Sequence, residues 1–274
     1  MIMLKRIIIG IFLLGLVICG AYLVNLIYKI EQYINECENR GINGFAVKEA
    51  ETSQTSGLSF SPPQFSSGHG FLAQSIEINQ MALHNSLLAH FLLENKRPSV
   101  RASTAYLLVS SDQNLDENTL DIIKKLVVDD PDLRIRYTIL AAFDDPFEFT
   151  PPHLILYLTE FQEILKVKDK LSFQLLAYLI GKGRCKVVCK NKEEVRIICD
   201  VFLQKLNDTD PANRLLSYEA LTKILSKPEL GAEIIKKENP DIAYFKGAAF
   251  SFWLTADEQS RQKVKEIINQ EVSK

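Results

Sequence analysis

Residues 7 to 28 read IIIGIFLLGLVICGAYLVNLIY and contain no charged side chain. Wound as a helix at about 1.5 Å per residue, the run reaches roughly 33 Å, the thickness of a hydrocarbon core. A segment this long and apolar has to leave water, and it predicts a single transmembrane helix acting as an uncleaved signal-anchor. The competing reading is a secretory signal peptide, since Lys5 and Arg6 precede the run and such peptides begin with a basic region before about 7 to 15 apolar residues. Against cleavage, the small-residue site Cys19-Gly20-Ala21 is followed by more uncharged chain, and Ile18 before Cys19 does not suit a lipoprotein signal. Lys5 and Arg6 lie before the run, and Lys29 and Arg40 after it, among Glu31, Glu36 and Glu38. By the positive-inside rule the expected topology is single-pass, N-terminus in the cytoplasm and the C-terminal domain on the outer face. In a bacterium that is the inner membrane facing the periplasm.

The chain divides into three stretches. Residues 1–40 comprise the cytoplasmic tip, the span at 7–28 and a juxtamembrane helix, IEQYINECENR. Residues 41–70, rich in Gly, Ser, Thr, Pro and Gln, predict a linker or loosely packed arm in which Phe45, Phe60 and Phe65 offer docking points. Residues 71–274 predict an all-α domain. The stretch LAQSIEINQMALHNSLLAHFLL has apolar residues near a 3.6 period, and Asn118 to Val128 presents Leu120, Ile123, Leu126 and Val127 on one face. Thr150-Pro151, Asn191 and the capping-box spacing of Thr255 to Glu258 read as helix starts. No stretch alternates convincingly as a strand, and KVVC at 186–189 is too short to count.

Within this domain DDPDLRIRYTILAAF, residues 129–143, has relatives. RPSVRASTAYLLVSS stands about 35 residues earlier, and DPANRLLSYEALTKIL about 80 residues later when Asp210-Pro211 is set on Asp130-Pro131. DKLSFQLLAYLIGKG from Asp169 and NPDIAYFKGAAFSFWL from Asn239 complete the series. Each follows another amphipathic helix, so the unit is a helix pair, which buries its apolar face only by stacking on neighbours. The segment resembles the second helix of a HEAT repeat: an Asp-Pro turn, an apolar-Arg step and small residues, here Asp130, Pro131, Ile135, Arg136, Ala141 and Ala142. The copy at 97–111 keeps Pro98, Val100, Arg101, Ala102 and Ala105, whereas the copy at 210–225 has Leu215-Leu216 at the apolar-Arg step. The resemblance implies an α-solenoid closed by the polar last helix with its stripe of Val264, Ile267, Ile268 and Val272. An irregular helical bundle is the alternative.

The chemistry-bearing residues do not assemble a reaction centre. His84 and His90 lack metal-pair spacing, no His is followed by Glu, and GKGRC at 181–185 lacks the rest of a phosphate-binding loop. Cys185 and Cys189 have no histidine nearby for zinc, and read either as a local disulfide or as buried thiols. No catalytic, metal or cofactor residue is assigned, so an enzyme is not expected. At 47% hydrophobic, 24% charged and net charge -2, the chain carries no signature of nucleic-acid binding. The expected function is a membrane-anchored protein-binding scaffold or adaptor acting through its repeat groove. An envelope immunity or inhibitor protein and an enzyme with an unrecognised site are the alternatives. If second helices line the groove, the contact residues are Arg97, Arg101, Arg134, Arg136, Asn213 and Arg214, with Arg101 and Arg136 also suited to bonding neighbouring turns. A basic loop, GKGRCKVVCKNK, adds Lys182, Arg184, Lys186, Lys190 and Lys192 as a surface for an acidic partner, phosphate or lipid headgroups.

Overall fold

The computed structural model describes the backbone of residues 2–40, 45–53, 59–67, 78, 80–111, 115–144, 153–227 and 248–274. Side chains are described for these from residue 19 onward, apart from 40–47, 51–60, 65–67 and 248–250. Helix dominates, as the periodicity predicts.

Residues Ile2–Arg40 form one helix, α1. Its C-terminal third belongs to the core: Tyr33 and Cys37 are buried, and Ile30 and Ile34 pack beside them. Before that point Tyr22, Leu23, Val24, Ile27 and Tyr28 are each more than half exposed. Among the described residues no helix is long and apolar enough to cross a membrane. The side chains of residues 1–18, which supply much of the expected span, lie outside the described ones.

The helical domain consists of α2 (Ser86–Leu93), α3 (Pro98–Val109), α4 (Glu117–Asp129), α5 (Leu133–Ala142), α6 (Leu158–Lys166), α7 (Lys170–Gly181), α8 (Lys192–Lys205), α9 (Pro211–Ile224), α10 (Ala248–Thr255) and α11 (Glu258–Val272). Punctuation in the sequence explains the starts. Asn85, Asp116, Asp132, Asp169, Asn191, Asp210 and Asp257 each accept a bond from a backbone N–H of the first turn, which satisfies a donor the helix leaves open. Pro98 and Pro211 open α3 and α9, where a missing N–H costs nothing.

The helices pack in two layers. α3, α5, α7, α9 and α10 lie side by side in one, α3 also carrying the end of α1; α2, α4 and α6 line up in the other, with α8 against α9 and α11 against α8. The first of these layers is the more deeply buried. In α7 nine of twelve residues are buried, Leu171 to Ala177 without a break, whereas α4 buries only Thr119, Ile123 and Val127. α11 buries Val264 and Ile268 of its expected stripe.

Three local expectations change. The apolar stretch 72–93 is interrupted at His84-Asn85, because Asn85 caps a new helix; in α2 Leu88, Ala89, Leu92 and Leu93 turn inward while Leu87 and Phe91 face solvent. Thr150-Pro151 falls outside the described residues, and the following element is a strand, β5 (Leu154–Tyr157), with α6 beginning only at Leu158. KVVC does count: Cys185–Val188 is a strand, numbered β6 below, paired in parallel with β5 from Leu154↔Cys185 to Tyr157↔Val188. Four residues suffice because α6 and α7 form the crossover a parallel pair needs.

Within the arm of residues 41–70, residues 45–53 and 59–67 are described. Its strands are β1 (Phe45–Lys48), β2 (Glu51–Ser53), β3 (Ser59–Ser61) and β4 (Gln64–Ser67). β1 pairs antiparallel with β4 and β2 with β3, two consecutive ladders of one hairpin. The hairpin lies against α5 and α9. The core therefore takes in Tyr33, Cys37 and Ala50, well before the domain start expected at residue 71.

Candidate functional site

The arginines expected in the groove are mostly committed inside the stack. Arg101, Arg136 and Arg214 are each the fourth residue of their helix. Arg136 is buried; its Nε donates to the Val127 carbonyl at 2.7 Å, Nη2 to that of Val128 at 2.9 Å, and Nη1 to that of Ile164 at 3.3 Å. It thereby ties the end of α4 to the end of α6. Arg214 in α9 does the same, donating to the carbonyls of Asp208 (2.8 Å) and Thr209 (3.2 Å) after α8, and of Trp253 (2.7 Å) and Leu254 (3.3 Å) in α10. Arg101 bonds the Asn95 carbonyl at 2.7 Å and grips Asp130 with Nε at 2.8 Å and Nη2 at 3.1 Å. Helix C-termini leave carbonyls without partners, and a guanidinium with five donors in a fixed fork satisfies several at once. Burial pushes the pKa values of Arg136 and Arg214 down, yet an arginine stays charged at neutral pH.

This geometry corrects the alignment of the later copy. Pro211 is the first residue of α9, whereas Pro131 precedes the cap of α5, so the Asp-Pro pairs are not equivalent. With helix starts aligned, Arg214 corresponds to Arg136, so the arginine that seemed lost at Leu215-Leu216 stands two residues earlier, preceded by the polar Asn213 where α5 has Ile135.

Arg136 and Arg214, at 2% and 5% exposure, have no surface to offer a partner. Asn213 is equally enclosed, its Oδ1 accepting from Gln174 Nε2 at 3.0 Å. Arg97 and Arg134 remain at the surface, Arg97 paired with Glu38 at 2.9 Å and Arg134 with Asp132 at 2.6 Å.

The hairpin covers part of the expected groove. Gln174, in the middle of α7, accepts from the Ala50 backbone N–H at 2.9 Å while donating to Asn213. Lys170 bridges Glu49 of the hairpin and Asp210 at the start of α9, the latter at 3.1 Å. Glu49, Ala50, Lys170 and Gln174 did not stand out by motif. A lone Gln inside LSFQLLAY was the available signal, because a polar residue in an apolar helix needs a partner.

Beside the hairpin contact a cleft of about 1070 Å³ opens between the ends of α6 and α8 and the starts of α7 and α9. Leu165, Phe173 and Val201 give it an apolar lining, and Lys168, Lys170 and Lys205 stand around it. Its carboxylates are already engaged: Asp169 and Asp210 cap helices, and Asp208 accepts from Lys205 at 2.7 Å.

The basic residues of 181–192 gather around β6. Lys182 ends α7 with its ammonium 5.5 Å from the Tyr178 ring, and Gly183 takes a left-handed φ of 72° that turns the chain into the strand. Arg184, Lys186 and Lys190 form no ion pair among the described residues, and Lys192 reaches the Lys274 carbonyl at 3.4 Å. Cys185, Cys189 and Cys199 are free thiols, and burial pushes the first and last up to about 12.

Comparison of the chain with family models finds no match, and comparison with curated proteins and with solved structures finds none either.

Proposed function

We propose that this chain is a single-pass membrane protein whose helix-pair stack, HEAT-like in construction, is a scaffold for another protein. The observation that carries the reading is α1: one helix whose inner third is core and whose preceding turns, Tyr22 to Tyr28, expose apolar side chains continuous with the uncharged run from residue 7. Exposed apolar surface of that extent is costly in water and stable in lipid. The solenoid reading rests on the two helix layers and on an arginine recurring at the fourth position of α3, α5 and α9 with the same duty.

With the buried arginines committed and the hairpin over part of the groove, the partner surface moves to the cleft. Its apolar floor and lysine rim suit an extended segment bearing apolar and acidic residues. Pulldown of the full chain in mild detergent is expected to recover one stoichiometric partner, and Lys168→Glu with Gln204→Glu, both exposed at the rim, to weaken its capture at least tenfold. Equal capture by that variant overturns the cleft assignment. A C-terminal alkaline phosphatase fusion is expected to be active in a bacterial host; an inactive one overturns the outward orientation.

A further inference from the structure

The direction of α1 relates the basic loop to the bilayer. Glu38 pairs with Arg97 at the start of α3, and the Tyr33 hydroxyl shares a 2.8 Å hydrogen bond with Thr104, deeper in that helix. α1 therefore runs antiparallel to α3, and its exposed turns leave the stack beyond the C-terminal end of α3. The layers share this polarity. Lys124 in α4 pairs with Glu160 in the first turn of α6, the His153 ring meets the Gly183 carbonyl at 2.9 Å, and Gly181 at the end of α7 lies against Glu219 in the second half of α9. The starts of α4, α6 and α8 and the ends of α3, α7 and α9 thus lie at one end of the stack, the end from which α1 departs. The cleft and the hairpin bridge lie at the other.

At the departing end, β5 and β6 present a two-faced ribbon. Leu154, Leu156 and Cys185 are buried inward, while Ile155 and Tyr157 are about half exposed, and Lys186 stands opposite Ile155 in the register. Arg184 and Lys190 flank the strand. The acidic residues facing this patch are Glu194, whose carboxylate accepts from the Lys190 backbone N–H at 2.7 Å, Glu160, whose carboxylate accepts from the Tyr157 backbone N–H at 2.8 Å and pairs with Lys124, Asp144 beside Arg184, the exposed Glu193, and the half-buried Glu219 beside Lys182. Cations beside an exposed Tyr and Ile match the chemistry of a bilayer interface, where aromatic rings sit at headgroup level and ammonium groups reach phosphates.

We propose that the β5–β6 ribbon, with Arg184, Lys186, Lys190, Ile155 and Tyr157, is a second membrane contact that binds anionic lipid headgroups and holds the stack end-on to the bilayer. This rests on the anchor reading above. Three helix-to-helix spacings of about 8–10 Å, from α1 through α3 and α5 to α7, put the ribbon roughly 25 Å to the side of α1, so anchor and ribbon fix the tilt of the domain and turn the cleft away from the lipid. Each basic residue at an anionic surface changes its partition roughly fivefold, so the three cations together supply about a hundredfold preference.

The test is acetylation footprinting of the full chain in lipid nanodiscs of phosphatidylcholine alone or with phosphatidylglycerol. Lys186 and Lys190 are expected to react at least fivefold more slowly in the anionic discs, with Lys166 and Lys168 at the opposite end unchanged, and 0.5 M salt restoring reactivity. Equal rates at the two ends, or shielding that is the same in neutral discs, overturn the contact. An Ile155→Ser/Tyr157→Ser variant, altered only at exposed positions, is expected to lose most of the shielding. Carbonate extraction of vesicles separates the two claims: a chain released by carbonate overturns the anchor and this contact with it, whereas a retained chain without selective shielding overturns the contact alone.

Discussion

At the residue scale, the chain spends arginine on its own backbone. Removing the Arg136 side chain leaves the carbonyls of Val127, Val128 and Ile164 without their donor in a buried site. Arg136→Ala is expected to cost about 3–5 kcal/mol, and Arg134→Ala, at an exposed neighbour, within about 0.5 kcal/mol of zero. Equilibrium unfolding followed by circular dichroism separates the two. The helix caps impose a pH dependence. Bonds from Thr119 and Arg134 hold the carboxyls of Asp116 and Asp132 below the usual carboxylate range, as the Ser260 backbone N–H does for Asp257. A lowered folded pKa gives stability that is complete above the unfolded value near 4 and is lost as pH falls through the folded value. The urea midpoint is therefore expected to be flat from about pH 7 to 5 and to fall between about pH 4 and 2.

At the scale of elements, the hairpin has no helix of its own to pack on and depends on the stack for its place. Its described links are polar: Glu49 to Lys170 and the Ala50 N–H to Gln174. Glu49→Lys replaces an attraction with a repulsion at an exposed position. It is expected to speed proteolysis within residues 45–67 several-fold while the melting temperature of the helices moves little. Much of the helix pattern was legible beforehand, since caps and 3.6-residue periodicity act within one turn. The hairpin and the β5–β6 pair were not. Their strands of three or four residues are too short for alternation to register, and β5 and β6 find each other only across two intervening helices.

At the scale of the whole molecule, α1 is a core element in its last third and, on the proposed reading, the anchor before it. Deleting residues 1–28 removes none of the described core, whereas deleting 1–40 also removes Tyr33 and Cys37 from it, with Ile30 and Ile34. The shorter deletion is expected to yield a folded, monodisperse protein. The longer one is expected to be roughly 5 kcal/mol less stable, from the apolar area it uncovers at about 25 cal/mol per Å²; matched midpoints for the two truncations would refute the role of α1 in the core.

What the sequence by itself determined is whatever depends on near neighbours: an uncharged run as long as a bilayer is thick, the helix starts at Asn191 and Asp210, and the apolar faces of α4 and α11. Only the tertiary structure decided where long-range partners lie. The fourth-position arginines could be noticed as a pattern, but their use depends on carbonyls of other helices that come within reach only after stacking. The same holds for the groove. Residues 41–70 carry the composition of a linker, and only the packed stack, offering Lys170 and Gln174 to Glu49 and Ala50, turns them into part of the domain.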